Sequence, residues 1–305
     1  MGIFREKWSN IMNSFKKDVI SMYSTSYLGK KRRLDKIISN GHLLVVPVDD
    51  SLIFGPFYGL DNLASTINSI VSSKPSAILG YRGSYSLLTN VSNGAEIPFI
   101  NNITASTTTG NHVQKIKSGT VQEALTMGAD CIAVHVNYCS EYENDMIHNF
   151  ANIVSEADVF GMPVLAIAYP RKKHIDGTDD NFESEKNNDI DAYTRRICRC
   201  VRTSVELGAD IVKTQFTGSV ETFQDVIRSA LGKPVIVAGG PMLSVHDSYK
   251  MAREAIKAGA AGISFGRNVF NQEHIEAYLA GMKAIVFDDV SVEDALTVYW
   301  GAQNV

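Results

Sequence analysis

The sequence predicts an α/β protein, a (β/α)8 TIM barrel with an N-terminal helical extension. Three observations predict it. Eight short apolar runs recur after residue 40, most of them continuous rather than alternating, as expected of parallel strands buried on both faces. Longer stretches between them carry apolar residues at helical spacing, as in 192–207, where Ile197, Val201 and Val205 fall four apart on one face. Three helix–strand joins have closely similar text: Met127-Gly128-Ala129-Asp130, Leu207-Gly208-Ala209-Asp210 and Ala258-Gly259-Ala260-Ala261. Each places Gly where a helix ends, the position that favours a left-handed backbone.

Taken in order, residues 1–40 are expected to form the extension. Ile11, Phe15 and Ile20 would mark one face of it, and Lys30-Lys31-Arg32-Arg33 would be a solvated basic face or turn, with a phosphate or acidic-partner site as the alternative. Residues 41–305 are expected to form the barrel. Its strands are predicted at Leu43–Val48, Ser76–Gly80, Ile97–Ile100, Cys131–Val136, Val164–Ala168, Asp210–Lys213, Val235–Ala238 and Gly262–Phe265. The polar stretch 171–191 follows the fifth strand as a lid over the mouth or a plain surface loop. The rival fold, an open doubly wound sheet, wants a Gly-rich dinucleotide turn after its first strand. Val48-Asp49-Asp50-Ser51 is not one, and no GxxxxGK[ST] occurs.

Composition narrows the function. The chain has 305 residues, a formal charge of −4 and a pI near 6.0, without the basic footprint of a nucleic-acid binder. No apolar run approaches the ~18 residues of a membrane span, and MGIFREKWSN lacks the apolar core of a signal peptide. The four cysteines show no CxxC spacing, so reduced thiols and a cytoplasmic location are expected.

In such a barrel the chemistry sits at the C-terminal ends of the strands. The sharpest residue there is Lys213, closing the sixth strand after Ile211-Val212. Burial disfavours its charged form, and a neutral amine can add to a carbonyl as a Schiff base. The alternative is a lysine paired with a carboxylate such as Asp49. Tyr169 offers a phenol from the fifth strand, as proton donor and acceptor or as a packing residue. Asp49 ends the first strand, as a general base, an orienting group or half of an ion pair. Asp50 and His135 are further candidates for substrate contact, although a histidine on a buried strand is more often a core residue.

Gly239-Gly240-Pro241 and Gly266-Arg267 form a second set. Barrels often bind phosphate at the loops after strands seven and eight, where Gly permits close backbone approach and Arg267 adds a charged fork. Ordinary turn glycine is the alternative. His112, His135, His148 and His174 show no metal-ligand spacing, so no metal is expected.

Over about residues 30–290 the chain resembles the DeoC/LacD-type class I aldolases. Within them it resembles the archaeal-type fructose-1,6-bisphosphate aldolases and the 2-amino-3,7-dideoxy-D-threo-hept-6-ulosonate synthases. The motifs are Val46-Pro47-Val48-Asp49, Gly119-Thr120-Val121, His135-Val136-Asn137, Ala168-Tyr169-Pro170-Arg171, Gly208-Ala209-Asp210-Ile211-Val212-Lys213-Thr214, Gly239-Gly240-Pro241 and Gly266-Arg267-Asn268. The His-Val-Asn and Tyr-Pro-Arg texts are closer to the synthase branch. The resemblance implies a Schiff base on Lys213, Tyr169 as general acid/base and Asp49 assisting. It also implies a ketose phosphate held at Gly239, Gly240, Gly266 and Arg267, an aldehyde as second substrate, no cofactor, and a homo-oligomer, often a decamer. The family usually follows its strand-one aspartate with His-Gly or Gln-Gly; this chain has Asp50-Ser51. The expected activity is therefore cleavage or formation of a C–C bond in a phosphorylated ketose. A transaldolase-type synthase using aspartate semialdehyde is the alternative, and a non-catalytic sugar-phosphate-binding barrel a remoter one.

Overall fold

The structure, a computed structural model, describes residues 28–303 apart from Tyr58 and Ile175. Ile11, Phe15 and Ile20 lie outside the described residues. Eight parallel strands close into a barrel: β1 Leu43–Pro47, β2 Ala77–Gly80, β3 Phe99–Asn102, β4 Cys131–Tyr138, β5 Val164–Pro170, β6 Ile211–Gln215, β7 Val235–Ala238 and β8 Gly262–Ser264. Each strand pairs with its neighbours in sequence, and β1 closes the ring by pairing Leu43 with Gly262 of β8. Helices follow the strands on the outside, and none among the described residues is long and apolar enough to cross a membrane.

The apolar runs are continuous because both faces of each strand are covered. One set of side chains packs outward against the helices; a second fills the barrel: Leu43, Val45, Ala77, Leu79, Ile100, Cys131, Ala133, Leu165, Ile167, Ile211 and Ile236. Within a strand these inward residues step by two, as the pleat requires. At the three predicted joins Gly128, Gly208 and Gly259 have φ of 84°, 104° and 104°. A Cβ on Gly208 would also come within 2.7 Å of Val154, so that join combines a left-handed backbone with tight helix packing.

Two expectations need correction. The third strand runs Phe99–Asn102, not Ile97–Ile100. Ile97 instead closes a 3-10 turn by bonding the Gly94 carbonyl, and Pro98 has no N–H for a ladder. The strand continues through Asn101 and Asn102 because they pair in register with Ile132 and Ala133 of β4.

Nor is the basic run simply a solvated face. Helix Leu28–Ile37 plugs the N-terminal mouth with Leu34 and Ile37, which join the barrel-filling cluster. Lys30 is 3% exposed and bonds Asp210 at 2.8 Å and Asp158 at 2.6 Å. Arg33 donates to the carbonyls of Gly29 and Gly161, while Lys31 makes an exposed pair with Asp35.

The polar stretch after β5 is built rather than loose. It holds a two-stranded hairpin, Lys172–Lys173 with Asp179–Asp180, then helix Glu183–Asn188. Phe182 is buried under the Arg196 guanidinium, 4.0 Å from its ring centre, and Arg196 is forked onto Glu185 at 2.7 Å.

Candidate active site

The step of two that fills the barrel also builds the site. Continued past the last apolar residue of each strand, it turns Asp49, Asn102, His135, Asn137, Tyr169 and Lys213 into the C-terminal mouth. Lys213 follows Ile211 on β6 and is 7% exposed. Burial lowers its pKa below the ordinary 10.5, and Arg267 adds to that; Asp49 and Asp50 act the other way. Among the described residues its Nζ makes no hydrogen bond and no ion pair, so the close Lys213–Asp49 pair entertained from the sequence does not form.

Asp49 is 7% exposed and fixed by Asn102, whose Nδ2 donates to its Oδ2 at 2.9 Å. Asn102 in turn accepts from the backbone N–H of Thr104 at 3.1 Å. This orienting asparagine was missed in the sequence because the third strand was ended at Ile100. Tyr169 stands half-buried in the mouth, its phenol pKa pushed up by burial first and then by Asp49 and Asp50, against Arg171 and Arg267. The ring of His135 meets it edge-on, 5.1 Å between centres. His135 is buried, its Nε2 has no partner among the described residues, and burial with Lys115, Arg171 and His112 nearby drives its pKa well down. Burial thus favours the neutral imidazole, with one buried nitrogen left without a bond among the described residues.

Sequence reasoning also missed a basic cluster on the long β3–β4 connection. A small hairpin, Thr104–Ala105 with Ile116–Lys117, folds that connection back over the mouth. It buries Lys115, which donates to Ser106 Oγ at 2.5 Å. Burial and Arg171 lower the Lys115 pKa to about 7, against Asp49, Asp179 and Asp50. His112 Nε2 accepts from Arg171 at 2.6 Å, and its pKa falls to about 3 through burial and the three cations Lys115, Arg171 and Lys173.

Across the mouth, the glycines of β7 and β8 form a shallow cup. A Cβ on Gly239 would stand 2.8 Å from Asn268 Nδ2 and 2.9 Å from Phe265, so only glycine fits. Gly240 has φ 67° and open space beside it. Asn268 ties the two loops together: its Nδ2 donates to the carbonyls of Gly239 and Pro241, and its Oδ1 accepts from Leu243 N–H at 2.7 Å. Gly266 precedes a short helix, Arg267–Phe270, whose first N–H groups have no intrahelical partner. Arg267 reaches Asp50, Nε to Oδ2 3.5 Å. Among the described residues no three His, Cys, Asp or Glu side chains gather as a metal-binding group.

This geometry places a buried unpaired amine, a phenol and an oriented carboxylate in one mouth, with a glycine cup to one side. The sequence model of the DeoC/LacD family aldolases matches residues 43–272. The chain belongs to the DeoC/LacD aldolase family. Among curated relatives of this aldolase, the 2-amino-3,7-dideoxy-D-threo-hept-6-ulosonate synthase of Halobacterium salinarum is 35% identical over 270 residues, 88% of this chain and 95% of that one. Synthase 1 of Archaeoglobus fulgidus is 30% identical over 272 residues, again 88% and 95%. Among solved structures, the fructose-bisphosphate aldolase from Slackia heliotrinireducens superposes with TM-score 0.78 at 18% identity, covering 92% of both chains. An archaeal fructose 1,6-bisphosphate aldolase superposes with TM-score 0.72 at 23% identity, covering 84% of this chain and 98% of that one. At those identities the two structures speak for the fold.

Proposed function

We propose that this DeoC/LacD aldolase is a class I enzyme that makes and breaks a C–C bond in a phosphorylated ketose through a Schiff base on Lys213. The observation that carries the reading is the state of Lys213: buried, without an ion-pair partner, and lowered in pKa. A lysine kept for structure would be paired; one whose neutral form burial favours is readied as a nucleophile. Its amine adds to the ketose carbonyl, a carbinolamine forms, and loss of water gives the iminium. The iminium draws electrons from the neighbouring C–C bond, which breaks as the adjacent hydroxyl gives up its proton and an aldehyde leaves. The enamine left on Lys213 is then protonated and hydrolysed. Tyr169 moves the protons, its raised pKa keeping it a phenol between transfers. Asp49, held by Asn102, acts on Lys213 through its charge and orients the substrate hydroxyls. The cup at Gly239, Gly240, Gly266 and Arg267 holds the phosphate, so that binding remote from the reacting carbons positions them.

Borohydride reduction in the presence of a ketose phosphate should attach the substrate to Lys213, with EDTA making no difference. Absence of labelling, or a fully active Lys213→Ala variant, would refute the mechanism.

A second reading of the same chemistry is favoured by the synthase function of the two curated relatives. In a transaldolase-type synthase the fragment held on Lys213 passes to an amino-acid semialdehyde instead of to a sugar aldehyde. Lys115 and Arg171 suit the phosphate of one acceptor or the carboxylate of the other. Turnover with glyceraldehyde 3-phosphate supports the aldolase; turnover with aspartate semialdehyde alone supports the synthase.

A further inference from the structure

We propose that Asp50 is a built-in counter-ion of the phosphate cup, which an incoming phosphate must displace from Arg267 and which takes up a proton as it leaves. The inference rests on reading Gly239, Gly240, Gly266 and Arg267 as that cup. The Asp50 carboxylate lies 3.5 Å from Arg267 Nε. The cation expected to meet phosphate is thus already neutralised by the protein. Arg267 also sits over the Phe54 ring, 6.0 Å from its centre, so it is held from below as well.

The surroundings decide the fate of the displaced carboxylate. Asp49 is adjacent in sequence. Tyr81 faces the carboxylate from after β2, Lys115 from the β3–β4 connection, Tyr169 and Arg171 from β5, Lys213 from β6 and Arg267 from after β8. Burial first, then Asp49, already hold the Asp50 carboxyl above the ordinary carboxylate range, against Arg267, Lys213 and Lys115. A phosphate carrying nearly two negative charges adds a further repulsion and takes Arg267 for itself. Asp50 and Arg267 share a cavity of about 120 Å³ whose other lining is mostly apolar, from Phe54, Phe57, Leu60 and Phe270. An apolar wall accepts a neutral carboxyl and rejects a carboxylate. Donor binding is therefore coupled to proton uptake, and a donor without phosphate escapes the coupling. The residue sets donor preference and its pH dependence; it touches Arg267, and acts through it.

The test is calorimetric titration of the whole protein with inorganic phosphate between pH 7.5 and 9, each pH in two buffers of different ionisation enthalpy. Near the low end of this range part of the inorganic phosphate is still the monoanion, but its own titration is common to wild type and variants and cancels in their difference. The wild type should take up more protons per phosphate than variants lacking the carboxyl, by at most one, and its Kd should rise more steeply with pH than theirs, by up to tenfold per pH unit. Asp50→Asn and Asp50→Ser should lose that extra uptake, keep only what Lys115 and Lys213 contribute, and bind at least tenfold more tightly at pH 8.5. In the reaction, both variants should raise kcat/KM for a ketose phosphate relative to the same ketose unphosphorylated. Equal pH dependence in wild type and variants, or weaker phosphate binding by the variants, overturns the proposal alone. Absence of phosphate binding by all three proteins overturns the cup reading and the proposal with it. Borohydride labelling of Lys213 separately decides the Schiff-base chemistry.

Discussion

Replacing Lys30 by methionine removes one end of an ion pair that joins the N-terminal helix to the foot of β6. Asp210, its partner, has a side chain 4% exposed and also accepts the backbone N–H of Val164 at 3.0 Å. Burial opposes the charge on Lys30, but Asp210 and Asp158 more than offset it and hold the pKa above the ordinary value. Stability from a raised lysine pKa is fully present below the unfolded value, about 10.4, and is lost only as pH rises through the folded one. The whole effect therefore operates at pH 7. Removing one partner of a buried pair costs about 3–5 kcal/mol. The lower end applies here, because Lys233 remains 3.7 Å from Asp210 and Asp158, 40% exposed, rehydrates. With about 2.1 cal/mol/K of unfolding entropy per residue, a loss of ~3 kcal/mol lowers Tm by roughly 5 °C for this 305-residue chain. Scanning calorimetry at pH 7 measures it. Adding Asp210→Asn should recover part of the loss, since the orphaned charge disappears while an acceptor for Val164 remains. A Tm change below about 1 °C, or a double variant that loses the sum of both single losses, would refute the reasoning.

Two further substitutions probe the mouth. Because catalysis needs Lys213 neutral, kcat/KM should rise with pH through its titration, below the ordinary lysine range. Asp49 raises that pKa, so Asp49→Asn should move the rising limb to lower pH while lowering the plateau; a limb that stays put removes Asp49 from the electrostatics of Lys213. Gly239→Ala forces a methyl against Asn268 and Phe265, so KM for a ketose phosphate should rise at least tenfold with a smaller change in kcat. An unchanged KM would place the phosphate elsewhere.

How far the fold and the site were legible depends on what each signal measures. A parallel strand covered on both faces is largely apolar, so most of the eight strands showed as continuous runs. The joins at Gly128, Gly208 and Gly259 showed because one backbone conformation demands one residue type. His112 and Lys115 did not show. They are brought to the mouth by a two-residue hairpin pairing, a contact with no periodicity to read. Lys30 looked like surface because its partners lie 128 and 180 residues away. The strand ends were the ambiguous case, since a polar residue there reads equally as a turn or as a side chain facing the mouth. The pleat separates the two. A step of two from the inward apolar residues reaches Lys213 from Ile211, Tyr169 from Ile167 and His135 from Ala133. The same step from Ile100 reaches Asn102, which holds Asp49, and from Leu79 reaches Tyr81, whose hydroxyl bonds the Thr104 carbonyl at 3.1 Å. The second and third strands thus carried site residues on the same rule as the fifth and sixth, and Asn102 was overlooked because its strand was ended two residues too soon.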